Sequence, residues 1–64
     1  MSREDLLWIR DLISDDRDIW YDCLKQEKDE GERKDLLSDI ERAQNVICQI
    51  ADLIREIDRR TNSQ

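Results

Sequence analysis

The chain has 64 residues, 44% of them charged, and a formal net charge of −6. A chain of this length forms one domain at most (residues 1–64), and a monomer buries only about 60% of its unfolded surface, so self-association is a common source of further stability. Two cysteines and no histidine exclude a disulfide-rich scaffold and argue against a zinc site. The acidic balance argues against direct nucleic-acid binding, and no segment reaches the roughly 18–20 apolar residues of a membrane span.

Negative charge is concentrated in the first half of the chain. Residues 1–35 contain twelve acidic and seven basic side chains, whereas residues 36–64 contain five and four. Segment 1–11 is charged and lacks the apolar core of a secretory signal, which predicts a cytoplasmic protein. We expect Cys23 and Cys48 to be reduced and to be buried as small apolar residues.

A first helix is predicted over about residues 3–28. Ser2 and Asp5 resemble a capping box, with Asp in place of the usual Glu, and acidic residues suit the first turn of a helix. Polar residues near positions 14–17 interrupt the apolar pattern. They predict a kink there, or a straight helix in which Asp16 pairs with an Arg or Gln of a neighbouring element. Either form is favoured over two separate helices.

A turn is predicted near residues 29–32. Positions 25–35 contain no apolar side chain, and the phase of the apolar pattern changes across them. Gly31 suits the left-handed backbone conformation that many helix ends adopt. The alternative is one unbroken helix of about 55 residues, which stays open because a single glycine in a helix costs only about 1 kcal/mol.

A second helix is predicted over about residues 32–60. Seven apolar residues follow one another at spacings of four and three, which is typical of a helix that packs lengthwise against other helices. This seam consists of Leu36, Ile40, Ala43, Ile47, Ile50, Ile54 and Ile57.

The two helices are expected to form an antiparallel hairpin. A turn near Gly31 places Trp20 opposite Ala43, so that the largest side chain meets one of the smallest, and Trp20 is therefore predicted to lie in the core. Both helices carry more apolar residues than one hairpin covers. We therefore expect an all-α homo-oligomer, a dimer of hairpins that forms a helical bundle.

No residue pattern in the sequence indicates catalysis, cofactor binding or metal binding. The chain has no histidine to activate a cysteine or serine nucleophile, and no glycine-rich phosphate loop. It also lacks the ligand spacing of a calcium loop. We predict that the protein is not an enzyme and binds no cofactor.

Acidic residues of the first helix form the candidate partner-binding site. Asp15, Asp18 and Asp22 share one helical face by their spacing of three and four. Trp8 lies off the seam, and Trp is enriched at binding hot spots. These residues predict a small acidic module that docks on a larger, basic protein and inhibits or bridges it. In general composition, though by no motif, such a module resembles phage-type regulators and inhibitors.

The alternative function is the binding or sequestration of a small anionic ligand, such as a nucleotide signal, at subunit interfaces. Its candidate residues are the arginines and one aromatic: Arg10, Arg17, Arg55, Arg59, Arg60 and Tyr21. A helix dipole also favours basic residues in a last turn, so the three arginines after residue 54 have a structural explanation as well. Likewise, the acidic face has the simpler interpretation of a solvated helix surface.

Overall fold

The computed structural model of the chain describes residues 1–62, which form two helices, α1 (Arg3–Gln26) and α2 (Glu30–Asn62). The helices pack against each other as an antiparallel hairpin, with principal extents of 53 × 15 × 15 Å. No strand occurs among these residues. The predicted all-α helical hairpin is therefore confirmed, whereas assembly of hairpins into a bundle stays a prediction.

The N-terminus of α1 is capped by Ser2. Its backbone is extended, and its Oγ accepts a hydrogen bond of 3.2 Å from the backbone N–H of Asp5. Glu4 and Asp5 in the first turn add negative charge near the positive end of the helix dipole. From this cap, α1 continues through positions 14–17 as one helix, which excludes a division into two helices.

Helix α1 ends at Gln26, two residues before the predicted boundary, and Glu27 is the C-cap residue. Its backbone is extended (φ −79°, ψ 129°), and its N–H donates to the carbonyl of Cys23 at 2.9 Å. The Oε1 atom of Glu27 accepts hydrogen bonds from the backbone N–H groups of Lys28 and Asp29, each 3.1 Å long. One carboxylate thus satisfies two backbone donors of the turn.

Asp29 caps the N-terminus of α2. Its Oδ1 accepts a hydrogen bond of 3.0 Å from the N–H of Gly31, and its carbonyl accepts one of 2.9 Å from the N–H of Arg33. The left-handed conformation predicted for Gly31 is wrong, because no residue in the described chain has positive φ and Gly31 lies in the first turn of α2. An aspartate cap needs only ordinary backbone angles.

Arg33 joins the two helices next to the turn. Its Nη1 donates to the carbonyl oxygens of Leu24 at 2.7 Å and of Glu27 at 3.0 Å. Carbonyls in the last turn of a helix have no partner within that helix. The guanidinium supplies that partner and also places positive charge at the negative end of the α1 dipole.

The core is a narrow strip along the contact between the helices. Leu6, Ile50 and Ile54 form its densest cluster, with exposed fractions of 6–9%, and further apolar residues of both helices pack around them. Ile40 and Ala43 extend the buried strip toward the turn. The remaining seam residues, Leu36, Ile47 and Ile57, are half-buried, as is Trp20.

Two polar pairs connect the helices on one flank of the hairpin. Arg3 Nε donates to Oδ1 of Asp58 at 2.8 Å, and Arg17 Nη1 donates to Oε1 of Gln44 at 2.7 Å. The position in the polar gap that faces α2 is therefore occupied by Arg17. Asp16 is exposed, and the structure gives it no partner on α2 within residues 1–62.

Both cysteines are free and exposed, so the prediction of buried thiols is wrong. Cys48 follows Gln44 by four residues and lies on the side of α2 that turns away from the core. Cys23 follows the exposed Ile19 by four residues on the outer side of α1. A second hairpin packed on these sides would be needed to bury them.

Candidate functional site

The outer face of α1 carries an exposed apolar stripe, here called the α1 stripe, which consists of Trp8, Leu12 and Ile19. Spacings of four and seven place the three side chains on one helical face. Their exposed fractions are 65%, 47% and 58%. Residues Ile9 and Ile13, which alternate with them, instead pack against the core. A helix with apolar residues over so wide an arc normally contacts more than one neighbour.

Carboxylates flank the α1 stripe on both sides. One side carries the acidic row, which consists of Asp11, Asp15, Asp18 and Asp22 at spacings of four, three and four. The other side carries Asp5 and Asp16, and all six of these side chains are exposed.

Three members of the acidic row have only weak partners. Asp11 pairs with Arg10 at 3.2 Å, Asp18 with Arg17 at 3.5 Å, and Asp22 with Lys25 at 3.9 Å, and the three carboxylate side chains remain 67–77% exposed. Pairs of this kind contribute little to stability and leave the oxygens accessible. Asp15 forms no ion pair within residues 1–62, and its side chain is exposed.

The structure thus places the four predicted partner-binding residues on the same exposed side of α1. Sequence reasoning did not assign Leu12, Ile19 and Asp11 to this surface. The signal was present, because positions 8, 12, 15, 19 and 22 follow a continuous spacing of four and three. What the sequence lacked was the direction in which α1 faces its partner helix.

A second apolar surface, here called the hairpin groove, lies along one side of the contact between the helices. Asp39, Val46 and Leu53 follow one another at spacings of seven, so they share the face of α2 that borders it. Near the open end of the hairpin it is a hollow of about 520 Å³ lined by Met1, Leu6, Ile9, Ile50, Leu53, Glu56, Ile57 and Arg60. Toward the turn it continues as a hollow of about 330 Å³ lined by Ile13, Trp20, Asp39, Arg42, Ala43 and Val46.

The hairpin groove differs from the α1 stripe in its charge. Its lining includes Asp39 beside Arg42 in one hollow and Glu56 beside Arg60 in the other. Both signs of charge therefore border the apolar floor of the groove.

Trp20 and Ala43, which the sequence placed opposite each other, line the same hollow, and Trp20 keeps part of its surface exposed there.

The arginines near the end of α2 are paired with acidic neighbours. Arg55 lies 3.6 Å from Asp52, and Arg59 donates a hydrogen bond to Glu56 one turn earlier. This hydrogen bond, reinforced by the charge of Arg59, lowers the pKa of Glu56, and the same pair raises the pKa of Arg59. The shallow hollow of about 340 Å³ between these four side chains therefore contains as many carboxylates as guanidiniums.

The arginines predicted for anion binding do not form one cluster within a hairpin. Arg10, Arg17 and Tyr21 share a flank of α1 by their spacing of seven and four. Arg17 reaches Gln44, which precedes Arg55 by eleven residues and so lies about 16 Å away along the axis of α2. Arg10 pairs with Asp11 and Arg55 with Asp52, so each of these two arginines also stands beside a carboxylate.

Within residues 1–62, no group of acidic or cysteine side chains has the arrangement needed to hold a metal ion. In the same part of the chain, neither helix combines the length and the apolar character that crossing a membrane requires. No protein-family model, curated protein or solved structure matches the chain. A function is therefore inferred from the two apolar surfaces and their charges.

Proposed function

We propose that the chain is a small acidic protein-binding module that self-associates and docks on a larger, basic protein, which it inhibits or bridges. The observation that carries this proposal is the amount of large apolar surface left exposed beside carboxylates. Among residues 1–61, seven large apolar or aromatic side chains are exposed, whereas the buried core has five members. Contiguous exposed apolar patches of a small protein commonly mark interaction sites. The cytoplasmic location predicted from the sequence belongs to the same proposal.

The hairpin groove is the surface proposed for self-association. A hairpin with so narrow a core gains stability when a second copy covers the half-buried seam. A two-fold axis brings the same patch of each copy together, so a self-complementary surface needs both signs of charge at its edges. The groove meets this requirement through Asp39 with Arg42 and Glu56 with Arg60. The resulting dimer is a four-helix bundle.

The outer face of α1 is the surface proposed for the partner. Its carboxylates are exposed and carry one sign of charge, which favours approach of a basic surface and disfavours phosphate groups of nucleic acids or anionic lipids. Trp8 supplies the kind of large, exposed aromatic side chain that is enriched at binding hot spots. The face therefore combines charge for recognition with apolar area for affinity.

Sequestration of a small anionic ligand is the competing function, and the hairpin geometry gives it no specific support. Arg55 and Arg59 each have a carboxylate within the same helix, and Arg17 donates to Gln44. The carboxylates beside Arg55 and Arg59 repel an anion, which lowers the affinity that such a site could reach.

The experiment compares three charge-changing variants as immobilised baits for a host lysate. The acidic-face variant carries Asp15→Lys, Asp18→Lys and Asp22→Lys. The matched control carries Asp35→Lys, Glu41→Lys and Asp52→Lys, which makes the same charge change at exposed positions of α2. The third variant carries Arg10→Ala, Arg55→Ala and Arg59→Ala. A protein captured by wild type is then purified and titrated against all four baits at low and high salt.

The proposal predicts that the acidic-face variant binds the captured protein at least tenfold more weakly, because like charges meet where opposite charges did. The control and the arginine variant keep near wild-type affinity, and wild-type binding weakens as salt rises. Loss confined to the arginine variant, together with a nucleotide that raises the thermal midpoint of wild type, contradicts the proposal and supports ligand sequestration.

A further inference from the structure

The proposed function leaves open what kind of element the partner presents. We infer, on the premise of that function, that the α1 stripe receives a basic amphipathic α-helix of the partner. Its apolar side chains contact Trp8, Leu12 and Ile19, and its Lys or Arg residues lie against the acidic row and against Asp5 and Asp16.

The backbone of α1 favours a helical ligand. Every interior N–H and C=O of α1 is used in its own helix, so an extended peptide laid on this face has no backbone groups to pair with. A strand-adding mode of recognition is therefore excluded, whereas a segment that satisfies its backbone hydrogen bonds internally can bury an apolar face on α1. An α-helix does both.

The shape of the stripe fits such a ligand. Trp8 and Ile19 are eleven positions apart, which is about 16 Å along the helix axis. Three turns of a second helix have the same length, and side chains at spacings of three, four and seven on both helices pack as ridges into grooves. A helix lying along α1 thus contacts all three apolar side chains at once.

The charges select a basic ligand. Carboxylates stand on both sides of the stripe, so Lys or Arg on either side of the ligand's apolar face meets an opposite charge. The aliphatic stems of these side chains cover apolar surface while their charged ends reach the carboxylates. The exposed ring of Trp8 adds a site for a guanidinium or ammonium group.

The same charges disfavour a second copy of this chain on the stripe. Two stripes facing each other would bring two acidic rows together. Repulsion between these like charges would weaken the affinity of one copy for the other. The hairpin groove, with both signs at its edges, has no such penalty. The two apolar surfaces are therefore assigned to different occupants.

The test uses a designed peptide of about 16 residues with Leu at positions that repeat every three or four residues and Lys or Arg on both flanks. One control peptide has the same composition in scrambled order, and another keeps the Leu positions but carries Glu in place of Lys and Arg. The peptide is expected to bind wild type and to gain helical circular dichroism on binding. Both controls are expected to bind at least tenfold more weakly.

Protein variants locate the binding surface. Leu12→Gln with Ile19→Gln removes apolar area from the stripe and is expected to weaken peptide binding tenfold or more. Leu37→Gln is the control, because Leu37 is 49% exposed, much like Leu12 at 47%, and lies outside both the α1 stripe and the hairpin groove. The control variant is expected to bind the peptide like wild type. All three positions are exposed, so both variants should keep wild-type helical content.

Four results overturn the inference. The first is absence of peptide binding or equal binding of the scrambled peptide, and the second is equal weakening by both variants. The third is a change in the solution mass of the protein caused by the stripe variant, which would make the stripe a contact between copies. If the captured partner still requires the acidic row but is not displaced by the peptide, the proposed function stands and the helical ligand does not. If the captured partner binds the acidic-face variant as tightly as wild type, the proposed function itself is contradicted.

Discussion

Arg17 donates a hydrogen bond of 2.7 Å from Nη1 to Oε1 of Gln44, across the contact between α1 and α2. This pair stands in the polar gap of α1, where no apolar side chain reaches across to α2. The side chain of Arg17 is 24% exposed, and its Nε is buried without a hydrogen-bond partner. The pair therefore combines one favourable hydrogen bond with one unsatisfied buried donor, so its net contribution to the free energy of unfolding is small.

A double-mutant cycle measures this balance. Gln44→Ala leaves Nη1 of Arg17 without its acceptor and is expected to lower the free energy of unfolding by about 1 kcal/mol. Arg17→Met keeps the aliphatic stem and removes both the bond and the orphaned Nε, so a change within about 1 kcal/mol is expected. Urea unfolding of the two single variants and the double variant yields a coupling of about 0.5–1.5 kcal/mol. Additive effects would show that the bond does not form in solution.

Gly31→Ala tests the corrected conformation of the turn. A Cβ at this position would meet only Oδ1 of Asp29, at an ordinary contact distance of 3.5 Å, and Gly31 has no positive φ. Alanine is therefore expected to raise the free energy of unfolding by about 0.4–1 kcal/mol, because it reduces the freedom of the unfolded chain. The matched variant Asp29→Ala removes the N-terminal cap of α2 and is expected to lower the free energy of unfolding by about 1 kcal/mol. Destabilisation by Gly31→Ala would mean that the turn needs a left-handed residue after all.

Ile50→Asp tests whether the seam is the core. Ile50 is 6% exposed, so the substitution buries a charge without a partner and is expected to cost roughly 3 kcal/mol or more. Ile47→Asp should cost less, because Ile47 is half-buried. Leu37→Asp is the control on the same helix, with an exposed fraction of 49% and an expected effect within about 0.5 kcal/mol. Equal thermal midpoints for wild type and Ile50→Asp are incompatible with a buried seam.

Glu56 provides a test of the arginine pairing at the end of α2. The hydrogen bond from Arg59, followed by the charge of Arg59, holds the pKa of Glu56 below its ordinary value of 4.5. Because the folded-state pKa is the lower one, the pair stabilises the fold above about pH 4.5, and this contribution disappears as pH falls through the folded-state pKa. Arg59→Gln is expected to raise the pKa of Glu56 in a carboxyl NMR titration, whereas Arg55→Gln leaves it lowered. If the pKa of Glu56 is the same in Arg59→Gln as in wild type, the hydrogen bond between Arg59 and Glu56 is not the cause of the lowered pKa.

The seam predicted the hairpin because its period is a property of the sequence alone, and the buried positions Ile40, Ala43, Ile50 and Ile54 all belong to it. The turn was predicted two residues too late because glycine was given more weight than the caps. In the structure the carboxylates of Glu27 and Asp29 satisfy the backbone donors of the turn, and which acidic residue caps a helix is decided by local competition among several.

The candidate surfaces were predictable only in part. Exposure of the carboxylates on α1 follows from their charge, and the structure places Asp15, Asp18 and Asp22 at the surface. Exposure of apolar residues depends on which arc of α1 faces α2, and that direction is a tertiary property. The sequence predicted apolar residues beyond the seam on α1, among them Leu12 and Ile19, but assigned them to self-association, and it predicted buried cysteines. Both differences have this cause, since a helix that is apolar over a wide arc does not reveal which part its partner covers.

The central claim is that the two apolar surfaces have different occupants, a second copy in the hairpin groove and a basic partner on the α1 stripe. Sedimentation equilibrium of wild type and two double variants tests it most directly. The account predicts twice the chain mass of 7.8 kDa for wild type, a monomer for Val46→Gln with Leu53→Gln, and an unchanged dimer for Leu12→Gln with Ile19→Gln. A wild type that stays monomeric at all concentrations, or a dimer that only the stripe variant dissociates, would contradict it.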